Sequence, residues 1–322
     1  MLKLSNTDSM NMKTSTYDRP HKVGIGLCTY KRPEQLALCL QSLNQLIKPQ
    51  GIDWCLLIAD NDKNSSAKGV VEDFRSQSQF PIFYVVETSS GIAATRNAVL
   101  KLGVEQRISE LAFIDDDETV DPNWLAHSWL YYQSMESDVV TNRVITLYPH
   151  NTPEWIKKGK FYDANPIQTG QLMYSAATGN VLFNFQKIVA EYQIFFDEDL
   201  GASGGEDTEF FLRVRQAGMD IKGVSNAIVY EMLDPSRFSL RYLLKRNFMT
   251  QNSRVRYKYK NNVGKIRLLF YSCFQVVKGV LFIFPGGVLG RVRIYKGLVD
   301  LVSGFGRIMA FFGIHLPNDL YA

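Results

Sequence analysis

Phe113-Ile114-Asp115-Asp116-Asp117-Glu118 runs two large apolar side chains straight into four acidic ones. That is the pattern of a buried strand that ends at a pocket and points carboxylates at something positive. Like charges packed this closely raise one another's pKa values, and a divalent cation among them relieves the repulsion. Upstream, Val23-Gly24-Ile25-Gly26-Leu27-Cys28 reads as a first buried strand, and Pro33 opens a helix through Leu36, Leu40, Leu43 and Leu46. Trp54-Cys55-Leu56-Leu57-Ile58-Ala59 and Ile82-Phe83-Tyr84-Val85-Val86 give two more strands, with helices over residues 67–75 and 92–102. Strands alternating with helices, and polar residues at strand ends, predict an α/β fold with a mostly parallel sheet flanked by helices. Ligands of such sheets bind beyond the carboxyl ends of the strands, where Thr29-Tyr30, Asp60-Asn61 and Asp115-Asp116-Asp117 stand.

Further along, residues 124–132 read as a helix and 138–147 as a strand. Residues 149–171 read as a long polar loop holding Trp155, of the kind that serves as a lid. A strand follows over residues 177–183, and Gly204-Gly205-Glu206-Asp207 leads into a helix ending near Gly218. Asp207 shares its helical face with Phe210, Phe211 and Val214, whereas Glu209 and Arg213 are expected to form an outward i,i+4 pair. An acid on the inward side of a helix's first turn is either a capping residue or a group lining a cavity, kept ionised by the helix N-terminus.

At 322 residues, with 46 % hydrophobic and 21 % charged, the chain is a globular protein able to bury one substantial core with an appendage, or two modest domains. Cys28, Cys39, Cys55 and Cys273 lack the paired short spacing of zinc sites and read as reduced structural residues suited to the cytosol. The net charge of +4 is unevenly spread: residues 1–235 hold 21 Lys+Arg against 30 Asp+Glu, and residues 236–322 hold 15 against 2. This divides the chain into a loose polar tail (1–20), an acidic body (21–235) and a basic, apolar C-terminal region (236–322).

Five pieces of the body, in order and at the right spacing, resemble the inverting family 2 glycosyltransferases with the A-type, Rossmann-like nucleotide-sugar fold. They are Thr29-Tyr30-Lys31-Arg32-Pro33, Ala59-Asp60-Asn61, Gly91-Ile92-Ala93-Ala94-Thr95-Arg96-Asn97, the Asp115-Asp116-Asp117 version of the DxD motif, and Gly205-Glu206-Asp207. Glu154-Trp155-Ile156, Thr178-Gly179-Asn180 and Val229-Tyr230-Glu231 look most like the bacterial exopolysaccharide members of succinoglycan type. The resemblance implies a nucleotide-sugar donor, UDP-linked by preference, contacted by Thr29, Tyr30, Arg32, Asp60, Gly91, Arg96, Asp115 and Asp116. It implies Mn²⁺ or Mg²⁺ on Asp115 and Asp117, a sugar or acceptor pocket including Trp155, Asn180 and Glu206, and Asp207 as the general base. Many relatives carry a His after the strand that follows the base helix; here Tyr230-Glu231 stands there.

In the C-terminal region Ser236 reads as a helix N-cap, followed by a cationic stripe of Arg237, Arg241 and Lys245. The apolar stretch 268–289 is long enough to span a bilayer, but Lys278 falls near its middle and Pro285-Gly286-Gly287 interrupts it. Interfacial helices on an anionic membrane surface are the expectation, at the cytoplasmic face of the bacterial inner membrane. The acceptor would be a polyprenyl-diphosphate-linked glycan or a polysaccharide. The apolar runs argue against nucleic acid as the partner of the basic tail. Two alternatives remain at this level. Asp115-x-Asp117-x-Thr119 also fits a haloacid-dehalogenase-type phosphatase, and an inactive nucleotide-sugar-binding scaffold would keep the same pocket.

Overall fold

The apolar runs do become strands, and they join one sheet. The computed structural model describes residues 21–200, 204–260, 264–283 and 290–314. The tail expected over residues 1–20 lies outside the described residues. Strands β1 (His21–Thr29), β2 (Ile52–Asp60), β3 (Ile82–Val86) and β4 (Glu110–Asp115) run parallel, joined through helices α1 (Pro33–Leu43), α2 (Lys68–Arg75) and α3 (Ile92–Glu105). Strands β5 (Glu118–Val120), β6 (Val139–Leu147), β7 (Asn180–Asn184) and β8 (Ile221–Met232) extend the sheet to the order β3-β2-β1-β4-β7-β6-β8-β5. Only β7 and β5 run against the rest, so the sheet is mixed but mostly parallel. Thr119 is the middle residue of β5 and pairs with Tyr230.

Side chains alternate across the strands and fill two cores. Val23, Ile25 and Leu27 face α1, α2 and helix α4 (Trp124–Ser134) through Leu36, Leu40, Phe74 and Trp124. Cys55, Leu57, Phe113 and Phe183 face α3 and helix α6 (Glu206–Gln216) through Val99, Phe210 and Phe211. Gly26 permits the close approach on that second face: a Cβ there would lie 2.8 Å from Val99 and 2.9 Å from Phe113. Both cores stop at the carboxyl end of the central strands, which leaves that end for polar side chains.

Within the expected loop 149–171 lies a short helix, α5 (Glu154–Gly159). It belongs to a third, smaller core, in which Ile156 and Tyr162 meet Leu233 and Leu243. Leu243 comes from helix α7 (Leu240–Lys260), so this core ties the body to the C-terminal layer. Helix α7 begins later than Ser236. Asp234 accepts the Ser236 N–H and starts a 3-10 turn at Pro235–Arg237, and Ser239 Oγ accepts the Tyr242 N–H at the true helix start. Arg237 is therefore off the cationic stripe.

Helix α8 (Lys265–Ile283) and helix α9 (Arg291–Phe311) complete the layer, with α9 packed on α8, α7 and α5. Gly279 and Gly297 let the two backbones touch: a Cβ on Gly279 would lie 2.7 Å from the Gly297 carbonyl oxygen. Lys278 pairs with Asp300 at 3.0 Å, and Arg307 donates to Gln251, so the charges of the apolar stretches are answered inside the layer. Ile266, Phe270, Phe274, Val277 and Leu281 are left exposed along one side of α8. The interruption at Pro285-Gly286-Gly287 lies outside the described residues. Cys28, Cys39 and Cys55 are buried as expected; Cys273 is exposed on α8.

Candidate active site

The acidic turn closes on itself. Strand β4 ends at Asp115, and the buried Glu118 carboxylate accepts the Asp115 N–H at 3.0 Å. Burial pushes Asp115 up to about 7; Arg96 opposes this, and Asp117 and Asp116 add to it. Burial likewise drives Glu118 well above the usual carboxylate range, helped by the charge of Asp115.

The three aspartates have separate surroundings. Asp116 is buried, accepts the Thr29 hydroxyl at 2.7 Å and lies 3.3 Å from Arg32 Nη1. Burial raises its pKa to about 6, against the Thr29 hydrogen bond and the Arg32 charge. Thr29 and Asp116, both buried, thus brace the turn against the end of β1. Asp117 is partly exposed, 3.0 Å from Arg32 Nη1 and 3.7 Å from Arg237 Nη2. Asp115 and Asp117 are the two that keep solvent contact.

Asp60, expected to bind a base, is turned inward instead. It is fully buried, and its carboxylate accepts the Asp62 and Ala67 N–H groups, each at 2.9 Å, and the Tyr84 hydroxyl at 2.8 Å. The loop after β2 would otherwise leave those donors unpaired in the interior, and a carboxylate is the strongest local acceptor. Next to it, Asn61 holds the following loop, donating to Glu87 and Ser89 carbonyls and accepting the Gly91 N–H. Gly91 enters α3 at φ +113, a conformation open to glycine. Tyr30 is exposed at the end of β1, with Lys31 Nζ 4.9 Å above its ring.

The second half of the site starts at Gly204 and Gly205, both with positive φ, which turn the chain sharply into α6. Glu206 is buried and pairs with the equally buried Arg96 from the first turns of α3. Burial raises the Glu206 carboxyl, with Arg96 opposing. Asp207 follows in the first turn, partly exposed, accepting the Thr208 N–H on one oxygen at 2.6 Å. It is not the N-cap, since Gly205 holds that position. Burial opposes the charge of Arg96, and Glu206, then Asp115, then Asp207 hold it protonated, so this guanidinium lies in the field of both the acidic turn and the start of α6. The Glu209–Arg213 pair forms, at 2.8 and 2.7 Å, but not outward: Glu209 is buried, and Arg213 also caps the Phe195 carbonyl.

Two expected pocket residues lie elsewhere. Trp155 packs edge-on against Tyr295 of α9 at 5.0 Å and tilted against Phe161, as part of the contact with the C-terminal layer. Asn180 is buried in the core, accepting from Trp124 Nε1 at 2.7 Å and Asn142 Nδ2 at 3.0 Å and donating to the Arg143 carbonyl at 2.9 Å. Asn180→Leu is expected to destabilise the protein by about 2–4 kcal/mol, because two buried donors lose their acceptor. Urea denaturation measures it, and a change under about 0.5 kcal/mol would contradict this placement.

Sequence reasoning placed Tyr230-Glu231 where many relatives carry a His, and it missed Arg237, which the fold brings beside Glu231. Glu231, at the end of β8, and Arg237 pair at 2.6 Å beside Asp117. The signal for Arg237 was Asp234-Pro235-Ser236, a turn that stops any helix from including it.

Among the described residues, no three Asp, Glu, His or Cys side chains form a ready-made metal cage. Asp115 and Asp117 nonetheless offer a hard cation two carboxylates, and magnesium-type sites of this sort are completed by phosphate and water oxygens. Burial first, and then the charges of Asp117 and Asp116, raise the Asp115 carboxyl, and a cation shared with a substrate would relieve that repulsion, so the donor set fits one.

The chain matches the family described as Glycosyl transferase family 2 over residues 25–189. It is 34 % identical over 226 residues to the succinoglycan biosynthesis protein ExoM of Rhizobium meliloti (strain 1021), covering 70 % of this chain and 72 % of that protein. Its fold is similar to that of S. aureus TarS 1–349 in complex with UDP, with TM-score 0.51 and 17 % identity over 91 % of this chain and 92 % of that one. It is similar also to the mannosyltransferase PcManGT from Pyrobaculum calidifontis in complex with GDP-Man and Mn²⁺, with TM-score 0.56 and 13 % identity over 92 % and 74 % of the two chains. These structural likenesses show the fold, which is the A-type glycosyltransferase fold, and the sequence matches show the family. The chain belongs to glycosyl transferase family 2.

Proposed function

We propose that this glycosyltransferase moves a sugar from a nucleoside diphosphate sugar to a hydroxyl of a lipid-linked or polysaccharide acceptor, with inversion, in bacterial surface or exopolysaccharide synthesis. One observation carries the reading: the buried Arg96 pairs with Glu206, next to the partly exposed Asp207 at a helix start, and also lies in the field of Asp115 in a partly exposed acidic turn. One side suits a diphosphate leaving group and the other a proton. The similarity to a succinoglycan biosynthesis protein supports the product class. Structures of similar fold hold UDP, UDP-GlcNAc or GDP-Man with Mn²⁺, which supports a nucleotide-sugar donor.

In this mechanism Asp115 and Asp117 would hold Mn²⁺ or Mg²⁺. That ion supplies charge neutralisation for the departing diphosphate. Asp207, in the first turn of α6, takes the proton of the acceptor hydroxyl as its oxygen attacks the anomeric carbon. Thr29, Asp116 and Arg32 hold the acidic turn against β1. The Arg96–Glu206 pair fixes the base helix to the first turns of α3. Asp60 and Asn61 act only through the loops they tie, and Tyr30 offers an exposed aromatic edge to the base. A screen of UDP-, GDP- and dTDP-sugars with Mn²⁺ and lipid-linked acceptors tests the reading by the anomeric configuration of the product. A retained configuration, or release of phosphate from simple phosphoesters without sugar transfer, would overturn it.

The exposed side of α8 supports membrane association. Helix Ile266–Ile283 is long and apolar enough to cross a membrane by length and composition, and of its two charges, Arg267 and Lys278, the second is paired with Asp300 in the layer. Replacing Phe270 and Phe274 by Asp is expected to abolish co-sedimentation with vesicles of anionic lipid while leaving UDP affinity unchanged. Unaltered co-sedimentation would remove α8 as the contact.

A further inference from the structure

We propose that Arg237 is a donor-binding residue, whose guanidinium takes charge from the diphosphate of the sugar donor and is held in place by the C-terminal helical layer through Tyr162. The inference rests on the nucleotide-sugar reading above and adds to it a residue outside the expected motifs.

The geometry starts with two arginines converging on one carboxylate oxygen. Arg32 Nη1 stands 3.0 Å from Asp117 Oδ2, within hydrogen-bond distance, and Arg237 Nη2 stands 3.7 Å from the same atom, beyond it. Arg32 already serves Asp117, so Arg237 is not needed there as its hydrogen-bond donor. Its short contact, 2.6 Å, goes from Nη1 to Glu231. Glu231 thus aims the guanidinium at the acidic turn, while the planar fork keeps N–H groups for a further anion. Its side chain is 14 % exposed, so an arriving anion would meet this charge with little water between them. Arg237 is held protonated chiefly by the Glu231 charge against the cost of burial.

The backbone of Arg237 is fixed from the other side. Its carbonyl accepts the Tyr162 hydroxyl at 2.6 Å, and Arg246 of α7 lies 5.3 Å over the Tyr162 ring. Tyr162 belongs to the small core shared with Leu243, and Phe238 and Leu240 pack against it. A contiguous path therefore runs from α7 through Tyr162 to the Arg237 carbonyl and on to the acidic turn. Tyr162 is a positioning residue and touches no substrate.

Calorimetric titration of UDP and of uridine into the full chain with Mn²⁺ present separates the possibilities. Arg237→Gln is expected to weaken UDP about tenfold or more and to leave uridine unchanged, because only UDP carries the diphosphate. Tyr162→Phe, which removes one hydroxyl and keeps the ring, is expected to weaken UDP about threefold with uridine again unchanged. Equal UDP affinity in Arg237→Gln and the parent would overturn the donor contact, as would parallel losses of UDP and uridine. An unaffected Tyr162→Phe would overturn the link to the C-terminal layer. Should Arg237→Gln not fold, Arg237→Met is titrated in its place, and UDP affinity equal to the parent's would overturn the donor contact. If the parent protein binds neither UDP, GDP nor dTDP, the nucleotide-sugar reading itself fails and this inference falls with it.

Discussion

Asp207→Asn is expected to lower the transfer rate by about 10²–10⁴-fold, the usual weight of a positioned general base. The amide keeps the shape of the carboxylate and its contact with the Thr208 N–H, but it cannot accept the acceptor's proton. UDP affinity should stay within about twofold, since Asp207 lies at the start of α6 and the diphosphate is assigned to the acidic turn. Single-turnover product formation and calorimetric UDP binding, measured on the same preparation, check both halves. Near-normal turnover would remove Asp207 as the base. A parallel collapse of UDP binding would mean that the acid organises the pocket.

Arg96→Met is expected to destabilise the fold by about 3–5 kcal/mol, because it leaves the Glu206 carboxylate buried without its counter-charge. Both partners are nearly fully buried, so solvent screening does not dilute the interaction. Burial already raises the Glu206 pKa against the pull of Arg96. Without Arg96 it rises further, and part of the loss should be relieved as Glu206 takes up a proton. The double variant Arg96→Met with Glu206→Leu should recover part of the loss, since replacing a whole buried pair costs less than breaking it. Urea denaturation of the four proteins closes the cycle. A single-variant loss below about 1 kcal/mol would show that the pair does not hold the two halves of the site together.

Much of the architecture was legible because it depends on local patterns. The apolar runs 54–59 and 111–114 end in acids where those strands reach the ligand side, and Pro33 and Gly91 mark helix starts with known backbone chemistry. What stayed hidden was the direction of particular polar side chains. Asp60 stands at a strand end like Asp115, yet it turns inward because the loop beyond it presents donors that need an acceptor. Asn180 looks like a pocket residue in sequence, and its amide is consumed by Trp124, Asn142 and a carbonyl contributed by distant strands. Trp155 and Arg237 exchanged places for a similar reason. The aromatic assigned to the pocket packs on α9, and the cation assigned to a lipid-facing stripe enters the site. Spacing every four residues suggested a helix through Arg237, and only the Asp234–Ser236 hydrogen bond shows that the helix has not yet begun.

The four thiols are chemically unequal. Burial pushes Cys28 up to about 12 and Cys55 up to about 11, and drives Cys39 well above the ordinary range, so these sulfurs are poor nucleophiles as well as inaccessible. Cys273 alone is exposed, one turn from Phe270 and Val277 on the bare side of α8. The molecule therefore carries a built-in attachment point. An environment-sensitive fluorophore coupled to it without any engineered cysteine would report the polarity that this helix meets, during turnover and in the presence of acceptor.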